Sequence, residues 1–69
     1  MKKFDLSKAK QGNKLVTRSG KDAEVLKFDR DNKDFPLVVI MENSKVYECT
    51  IDGKFYTDKD SEFDLFLKN

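Results

Sequence analysis

The strongest constraint on the fold is a run of five consecutive apolar residues, Leu37–Met41, in a chain of which 39% is charged. Pro36 precedes this run and Glu42 follows it. Five residues are too few for a stable helix, and an apolar run rich in β-branched residues is typical of a strand that is buried on both faces. We therefore predict that residues 37–41 form the central strand of a sheet.

Other segments of the chain also have the composition of strands. They are residues 15–17, 23–28, 46–51 and 63–67. Gly20 lies in a turn between the first two, and Asp52-Gly53 is the strongest hairpin signal, because glycine adopts the positive φ that tight hairpins need. In the segment 23–28, simple alternation places Leu26 and Phe28 on the face opposite Val25 and Lys27.

Two features of the second half of the chain have alternative interpretations. A two-residue Asp52-Gly53 loop turns Tyr56 inward, whereas a three-residue loop over 51–53 with a bulge turns Phe55 inward and Tyr56 outward. The last segment alternates like a strand but also fits a helical turn capped by Ser61. We favour a final strand that pairs with the first strand.

The N-terminal residues contain one plausible helical turn. Asp5 or Ser7 can accept hydrogen bonds at its start, and Gly12 is a natural stop. A helix this short is marginal alone, so we expect Phe4 and Leu6 to anchor it on the sheet.

These elements predict a single all-β domain over residues 1–69 with one short N-terminal helical turn. The architecture is a small antiparallel five- to six-stranded bent sheet or a partly open SH3-like barrel. A lone cysteine and the lack of a secretory signal pattern or an apolar span lead us to expect a cytoplasmic location, with no membrane contact.

The order of several short motifs resembles that of a group of small uncharacterised phage- and prophage-associated proteins. The motifs are Phe4-Asp5-Leu6 with Ala9 and Gly12, Val16-Thr17-Arg18-Ser19-Gly20-Lys21, Phe35-Pro36-Leu37-Val38, Tyr47 with Thr50-Ile51-Asp52-Gly53-Lys54, and Ser61 with Asp64-Leu65. Ser19 stands where the group usually has aspartate, and related longer chains continue past the closing Asp-Leu. The resemblance implies a small all-β fold and a phage source, and it transfers no catalytic residue.

The side chains that enzymes need are scarce. The chain has no histidine, which excludes Ser-His and Cys-His nucleophile pairs and most transition-metal sites. Cys49 is interpreted as a small buried hydrophobe rather than as a reactive thiol. We therefore expect no enzymatic activity, no catalytic residue, no cofactor and no metal.

Binding remains as the class of function, and we consider two partners. An unknown protein partner is favoured, with candidate contacts at Phe55, Tyr56 and Phe66. The alternative is nucleic acid, because positive charges are dense near the N-terminus. Its candidate contacts are Lys8, Lys10, Lys14, Arg18 and Lys21. An exposed strand edge also allows a homodimer by strand pairing.

Overall fold

The computed structural model describes residues 2–68. Within them the regular structure consists of β1 (Lys2–Lys3), α1 (Leu6–Lys10), β2 (Leu15–Thr17), β3 (Asp22–Lys27), β4 (Leu37–Met41), β5 (Lys45–Cys49) and β6 (Leu65–Leu67). Every strand pair is antiparallel. The prediction of a small all-β fold with one short N-terminal helix is confirmed.

The six strands form one sheet in the order β1-β6-β2-β3-β4-β5. The final strand pairs with β2, with Leu15 opposite Leu67, as predicted. Leu65 of β6 and Cys49 of β5 belong to the same buried cluster although their strands lie far apart in this order. The sheet therefore bends around its core, but β1 and β5 remain as two edges and the sheet is not closed into a barrel.

The N-terminal helix docks on this core as expected. Asp5 is its N-cap, and Asp5 Oδ1 accepts hydrogen bonds from the Ser7 N–H at 3.0 Å and the Lys8 N–H at 3.3 Å. Phe4 and Leu6 are half-buried against the core cluster. Packing of these two side chains stabilises a helix that is too short to persist alone.

Strand β4 is buried on one face only. Leu37 and Val39 have no exposed surface, whereas Val38 and Ile40, which point the other way, are half-buried. Two predictions for this strand are wrong. β4 is the fifth strand in the order and not the central one, and its second face is only half-buried because no layer of the described chain covers it.

A β-bulge in β3 overturns the predicted alternation of side chains. The register shifts between Val25 and Lys27, so Leu26 is the extra residue in the pairing with β4. Val25 and Phe28 pack against the core, while Leu26 and Lys27 are exposed. One inserted residue is enough to exchange the faces of all residues that follow it.

The hairpin predicted at Asp52-Gly53 is only half formed. Residues 51–53 make a three-residue turn, which the Thr50 N–H closes by donating to the Lys54 C=O at 2.8 Å. No strand follows among residues 54–64. The three-residue alternative is the observed one, since Phe55 is half-buried and Tyr56 is exposed.

We expect that Glu42→Gly stabilises the protein. Glu42 and Asn43, between β4 and β5, have φ values of 55° and 58°, in the left-handed region that glycine adopts without strain. Relief of this strain should raise the free energy of unfolding by about 0.5–1 kcal/mol, measured by urea denaturation.

Two variants control for side-chain effects at this turn. Asn43→Gly should gain less than Glu42→Gly, because asparagine tolerates the left-handed region better than glutamate. Lys21→Ala removes the exposed ion pair with Glu42, whose N···O distance is 3.7 Å, and should change stability little. A lower stability of Glu42→Gly than of the wild type would contradict the expected strain.

Candidate functional site

Strands β3, β4 and β5 carry an apolar surface on the side of the sheet away from the core. We call this surface the outer face and define it by Leu26, Val38, Ile40 and Val46. Leu26 is 54% exposed and Val46 is 53% exposed, while the other two are half-buried between them. More than half of each flanking side chain is therefore available to another molecule.

Strand register makes the outer face continuous. Ile40 pairs directly with Val46 of β5, and Val38 pairs with Lys27 beside the bulged Leu26. Directly opposed side chains in antiparallel strands have Cβ atoms about 4.5–5.5 Å apart, which is close enough for contact. The four side chains thus form one patch carried on a rigid, hydrogen-bonded backbone.

Charged residues surround this patch. Glu24 pairs with Ile40, Glu48 pairs with Val38 on β5, and Lys27 pairs with Val38 on β3. All three charged side chains are exposed. An apolar centre with a polar rim is the usual composition of a protein-binding surface.

Two of the three partner contacts predicted from the sequence lie in an aromatic cluster, which consists of Tyr47, Phe55, Tyr56 and Phe63. The Phe55 ring lies 5.6 Å from Tyr47, 4.9 Å from Tyr56 and 5.1 Å from Phe63, centroid to centroid. Tyr47 and Phe63 stack at 5.1 Å. Tyr56 is 40% exposed, with Lys59 Nζ 4.5 Å from its ring centroid, so it is the most accessible member of the cluster.

The third predicted contact, Phe66, lies on a different surface. It lines a groove of about 460 Å³ that neither Phe55 nor Tyr56 lines, and Arg18 Cζ sits 4.8 Å from its ring centroid. Ile51, which is 46% exposed, lines the same groove. The structure therefore does not bring the three predicted aromatic contacts together on one surface.

The predicted nucleic-acid contacts are also divided. Lys10 and Lys14 line a groove of about 530 Å³ together with Lys68, but Asp22 and Glu24 line it as well. Lys68 Nζ pairs with Asp22 Oδ1 at 3.2 Å.

The remaining predicted contacts do not line that groove. Lys8 is exposed on α1, Lys21 lies 3.7 Å from a Glu42 carboxylate oxygen, and Arg18 binds Asp64. Of the five predicted cations, the structure brings only Lys10 and Lys14 to one groove.

One repeated turn of the structure was not predicted from the sequence. The pattern Thr-x-x-Gly-Lys occurs at residues 17–21 and again at 50–54. In both turns the threonine N–H donates to the lysine C=O at 2.8 Å, the glycine N–H donates to the threonine C=O at 2.9 Å, and the lysine N–H donates to the threonine Oγ1 at 3.0 Å. The two turns therefore have the same hydrogen-bond pattern. The repeated Thr-x-x-Gly-Lys sequence was the signal from which the second turn could have been predicted.

A buried carboxylate ties these turns to the C-terminal segment. Asp64 has a side chain only 3% exposed. Its Oδ1 accepts from the Phe55 N–H at 2.9 Å, and its Oδ2 accepts from the Ser61 N–H and from Arg18 Nη2, both at 3.0 Å. This one side chain links Arg18 of the first turn to Phe55, which directly follows the second turn, and to Ser61 of its own segment.

The surroundings of Asp64 keep it ionised. Burial is the largest single influence and by itself raises the pKa of the Asp64 carboxyl. The hydrogen bonds from Phe55, Ser61 and Arg18, together with the charge of Lys54, outweigh burial and hold this pKa below its ordinary value of 3.8. With all its partners inside the chain, Asp64 acts as a structural anchor.

Cys49 is fully buried, as predicted, and we expect it to resist labelling in the folded protein. Burial, with smaller contributions from the charges of Asp64 and Glu48, raises the pKa of its thiol to about 12. Because the thiolate is the reactive form, roughly a thousandfold less of it is present at neutral pH than for an ordinary thiol. Labelling by a thiol-specific dye should be slow in buffer and fast in urea, whereas fast labelling in buffer would contradict this burial.

Two classes of site have no counterpart among residues 2–68. No helix there is long and apolar enough to cross a membrane. No group of three or more cysteine or carboxylate side chains converges there in a way that could hold a metal ion.

Comparison with known protein families gives a match over most of the chain. The family model described as Haemophilus phage HP1 protein YO09 matches residues 1–66. Neither a curated protein nor a solved structure matches the chain. The match covers nearly the whole chain, including every strand except the last residue of β6.

Proposed function

The chain belongs to the family of Haemophilus phage HP1 protein YO09, and from this premise we propose that it is a phage-encoded binding module that docks a protein partner through its outer face. It acts in the cytoplasm of the infected cell, by binding rather than by catalysis. The observation that carries the proposal is the exposure of Leu26 and Val46 beside Val38 and Ile40.

The exposure of Leu26 supports a binding role for this surface. Val25 faces the core, so alternation places Leu26 on the outer face, and the bulge keeps Lys27 on that face as well. Leu26 is a large apolar side chain that contributes nothing to the core and adds to the solvent-accessible apolar area of a small protein. Exposed contiguous apolar residues with a polar rim mark interaction sites.

The rigidity of the surface also supports docking. The backbone at Val38, Ile40 and Val46 is already ordered by strand pairing on both sides of β4. Binding to such a surface orders little additional chain, so less of the contact energy is lost to conformational entropy.

The shortage of reactive groups is the reason for proposing binding instead of catalysis. The chain has no histidine, and its one thiol is buried with a pKa of about 12. The buried carboxylate of Asp64 is already engaged by Arg18 and by two backbone N–H groups.

Site-specific photo-crosslinking tests the proposed surface. A benzophenone side chain replaces Leu26 in one variant and the exposed Lys33 of the polar 29–34 segment in a matched control. In cells infected by the phage, we expect the first variant to crosslink one defined protein and the control to give none. Equal crosslinking by both variants, or none by either, would contradict docking on the outer face.

Substitution of the same surface should separate binding from stability. We expect Leu26→Ser and Val46→Ser together to abolish the crosslinked species while lowering the free energy of unfolding by less than about 1 kcal/mol, because both side chains are already more than half exposed. Val39→Ala, a fully buried control, should lower it by about 2–3 kcal/mol in the same urea titration. Loss of the fold in the double serine variant would show that these residues belong to the core instead.

Nucleic-acid binding is the second candidate, and one groove favours it. Lys10, Lys14 and Lys68 line the same groove of about 530 Å³. The test is a titration with labelled single- and double-stranded oligonucleotides at about 50 and 200 mM salt, since phosphate contacts give a steep salt dependence. Lys10→Ala with Lys14→Ala should weaken such binding, Lys27→Ala should not, and no binding at the lower salt would exclude this candidate.

A further inference from the structure

The two edges of the sheet differ in how they meet solvent. β1 has two residues, both exposed lysines, and short charged edges resist pairing with another chain. β5 has five residues. Among residues 2–68, no backbone or side-chain hydrogen bond joins Lys45–Cys49 to any segment except β4. Its outward N–H and C=O groups are therefore free to pair with a further strand.

The charges along this edge favour an antiparallel over a parallel pairing of two copies. Lys45 lies at the start of β5 and Glu48 lies near its end. An antiparallel pair centred on Val46 offsets the two Lys45 side chains from each other along the strands, and likewise the two Glu48 side chains. A parallel arrangement places like charges together, which is unfavourable.

We propose that two copies of the chain pair through antiparallel β5 strands about a twofold axis at Val46. In this register Val46 faces Val46 of the second copy, and the outer-face row from Ile40 to Val46 continues into the same row of that copy. Lys45 faces the second copy's Tyr47. A register centred on Tyr47 places Val46 against Glu48 instead, which leaves an apolar side chain opposite a charge.

The dimer joins the two outer faces into one surface on a twelve-stranded sheet, since each copy contributes the six strands described here. Pairing depends on the β5 edge and not on the proposed protein partner. It is measured on the purified chain alone, so its failure and the failure of partner docking are distinguishable.

Disulfide trapping tests the register. At the twofold axis the two Cα atoms of residue 46 lie about 4.5–5.5 Å apart, within the range that a disulfide spans. Val46→Cys should therefore crosslink on mild oxidation. In Glu48→Cys, the matched control, the two cysteines lie about four residues, or roughly 13 Å, apart along the strands and should not crosslink. Native Cys49 is fully buried and does not interfere.

Sedimentation equilibrium of the unmodified chain tests the association itself. We expect a concentration-dependent dimer that Val46→Lys converts to a monomer, with the folded circular-dichroism spectrum retained because Val46 is more than half exposed. A wild-type chain that stays monomeric over the concentration series would overturn the proposal. So would crosslinking of Glu48→Cys in place of Val46→Cys, or a dimer that survives Val46→Lys.

Discussion

Replacing Asp64 by alanine is expected to remove a large fraction of the protein's stability. The substitution removes the acceptor for the N–H groups of Phe55 and Ser61 and for Arg18 Nη2. Each N–H group that is left without a partner costs about 1–3 kcal/mol, whereas the Arg18 side chain is 41% exposed and can be hydrated. A chain of 69 residues has a total stability of roughly 3–10 kcal/mol. Circular dichroism with urea titration measures the loss.

Two variants isolate the cause of this effect. Asp64→Asn keeps one acceptor oxygen but loses the charge, so its stability should fall between those of Asp64→Ala and the wild type. Asp60→Asn removes an exposed carboxylate that lies 2.6 Å from Lys54 Nζ and should leave the unfolding midpoint nearly unchanged. Equal midpoints for Asp64→Ala and Asp60→Asn would refute the anchoring role of Asp64.

The same residue predicts the direction of acid denaturation. The pKa of Asp64 in the folded protein is held below its ordinary value of 3.8. Its contribution to stability is therefore complete above that ordinary value, and it is lost as the pH falls through the lower pKa of the folded state. The free energy of unfolding should decline steeply below about pH 4, and the decline should be shallower in Asp64→Asn. Parallel pH profiles for the two proteins would contradict this assignment.

The second large effect is expected for Gly53→Ala. Gly53 has a φ of +81°, and a Cβ built on it lies 2.8 Å from Cγ of the Phe4 ring. The methyl group must therefore displace a ring that packs against the core, at a cost of about 1–3 kcal/mol. The left-handed backbone adds about 1–2 kcal/mol for any residue with a Cβ.

The repeated turn supplies a matched control for this substitution. Gly20 occupies the equivalent position of the other Thr-x-x-Gly-Lys turn, with a φ of +90°, and a Cβ built there meets nothing within 4 Å. Gly20→Ala should incur only the backbone cost. The difference between the two alanine variants in urea denaturation therefore measures the Phe4 contact, and no difference would mean that Phe4 moves aside freely.

Local patterns predicted the parts of the fold that depend on local chemistry. The apolar run at residues 37–41 forms a strand, Asp5 is the cap of the two predicted candidates Asp5 and Ser7, and the final strand at 65–67 lies within the predicted segment 63–67. Each of these predictions needs only the intrinsic preference of a few neighbouring residues, and the surrounding structure agrees with that preference.

The directions of the Lys27 and Phe28 side chains could not be predicted, because a bulge depends on how β3 pairs with β4. Residues 23–28 alternate as an ordinary strand would, and their composition contains no glycine to mark an inserted residue. The insertion at Leu26 lets both Val25 and Phe28 reach the core across from β4. Only contact with the partner strand selects that solution, and it is this choice that turns Phe28 towards the core and leaves Lys27 exposed.

The sequence by itself determined that the chain forms an antiparallel all-β fold with a capped N-terminal turn and that it contains no histidine, because composition and local spacing decide these properties. Only the tertiary structure decided that Leu26 faces solvent, that Asp64 joins the two repeated turns, and that β5 remains an open edge. Each of these depends on contacts between segments that are distant in the chain, such as Arg18 with Asp64. A reading of neighbouring residues contains no information on which distant segments meet.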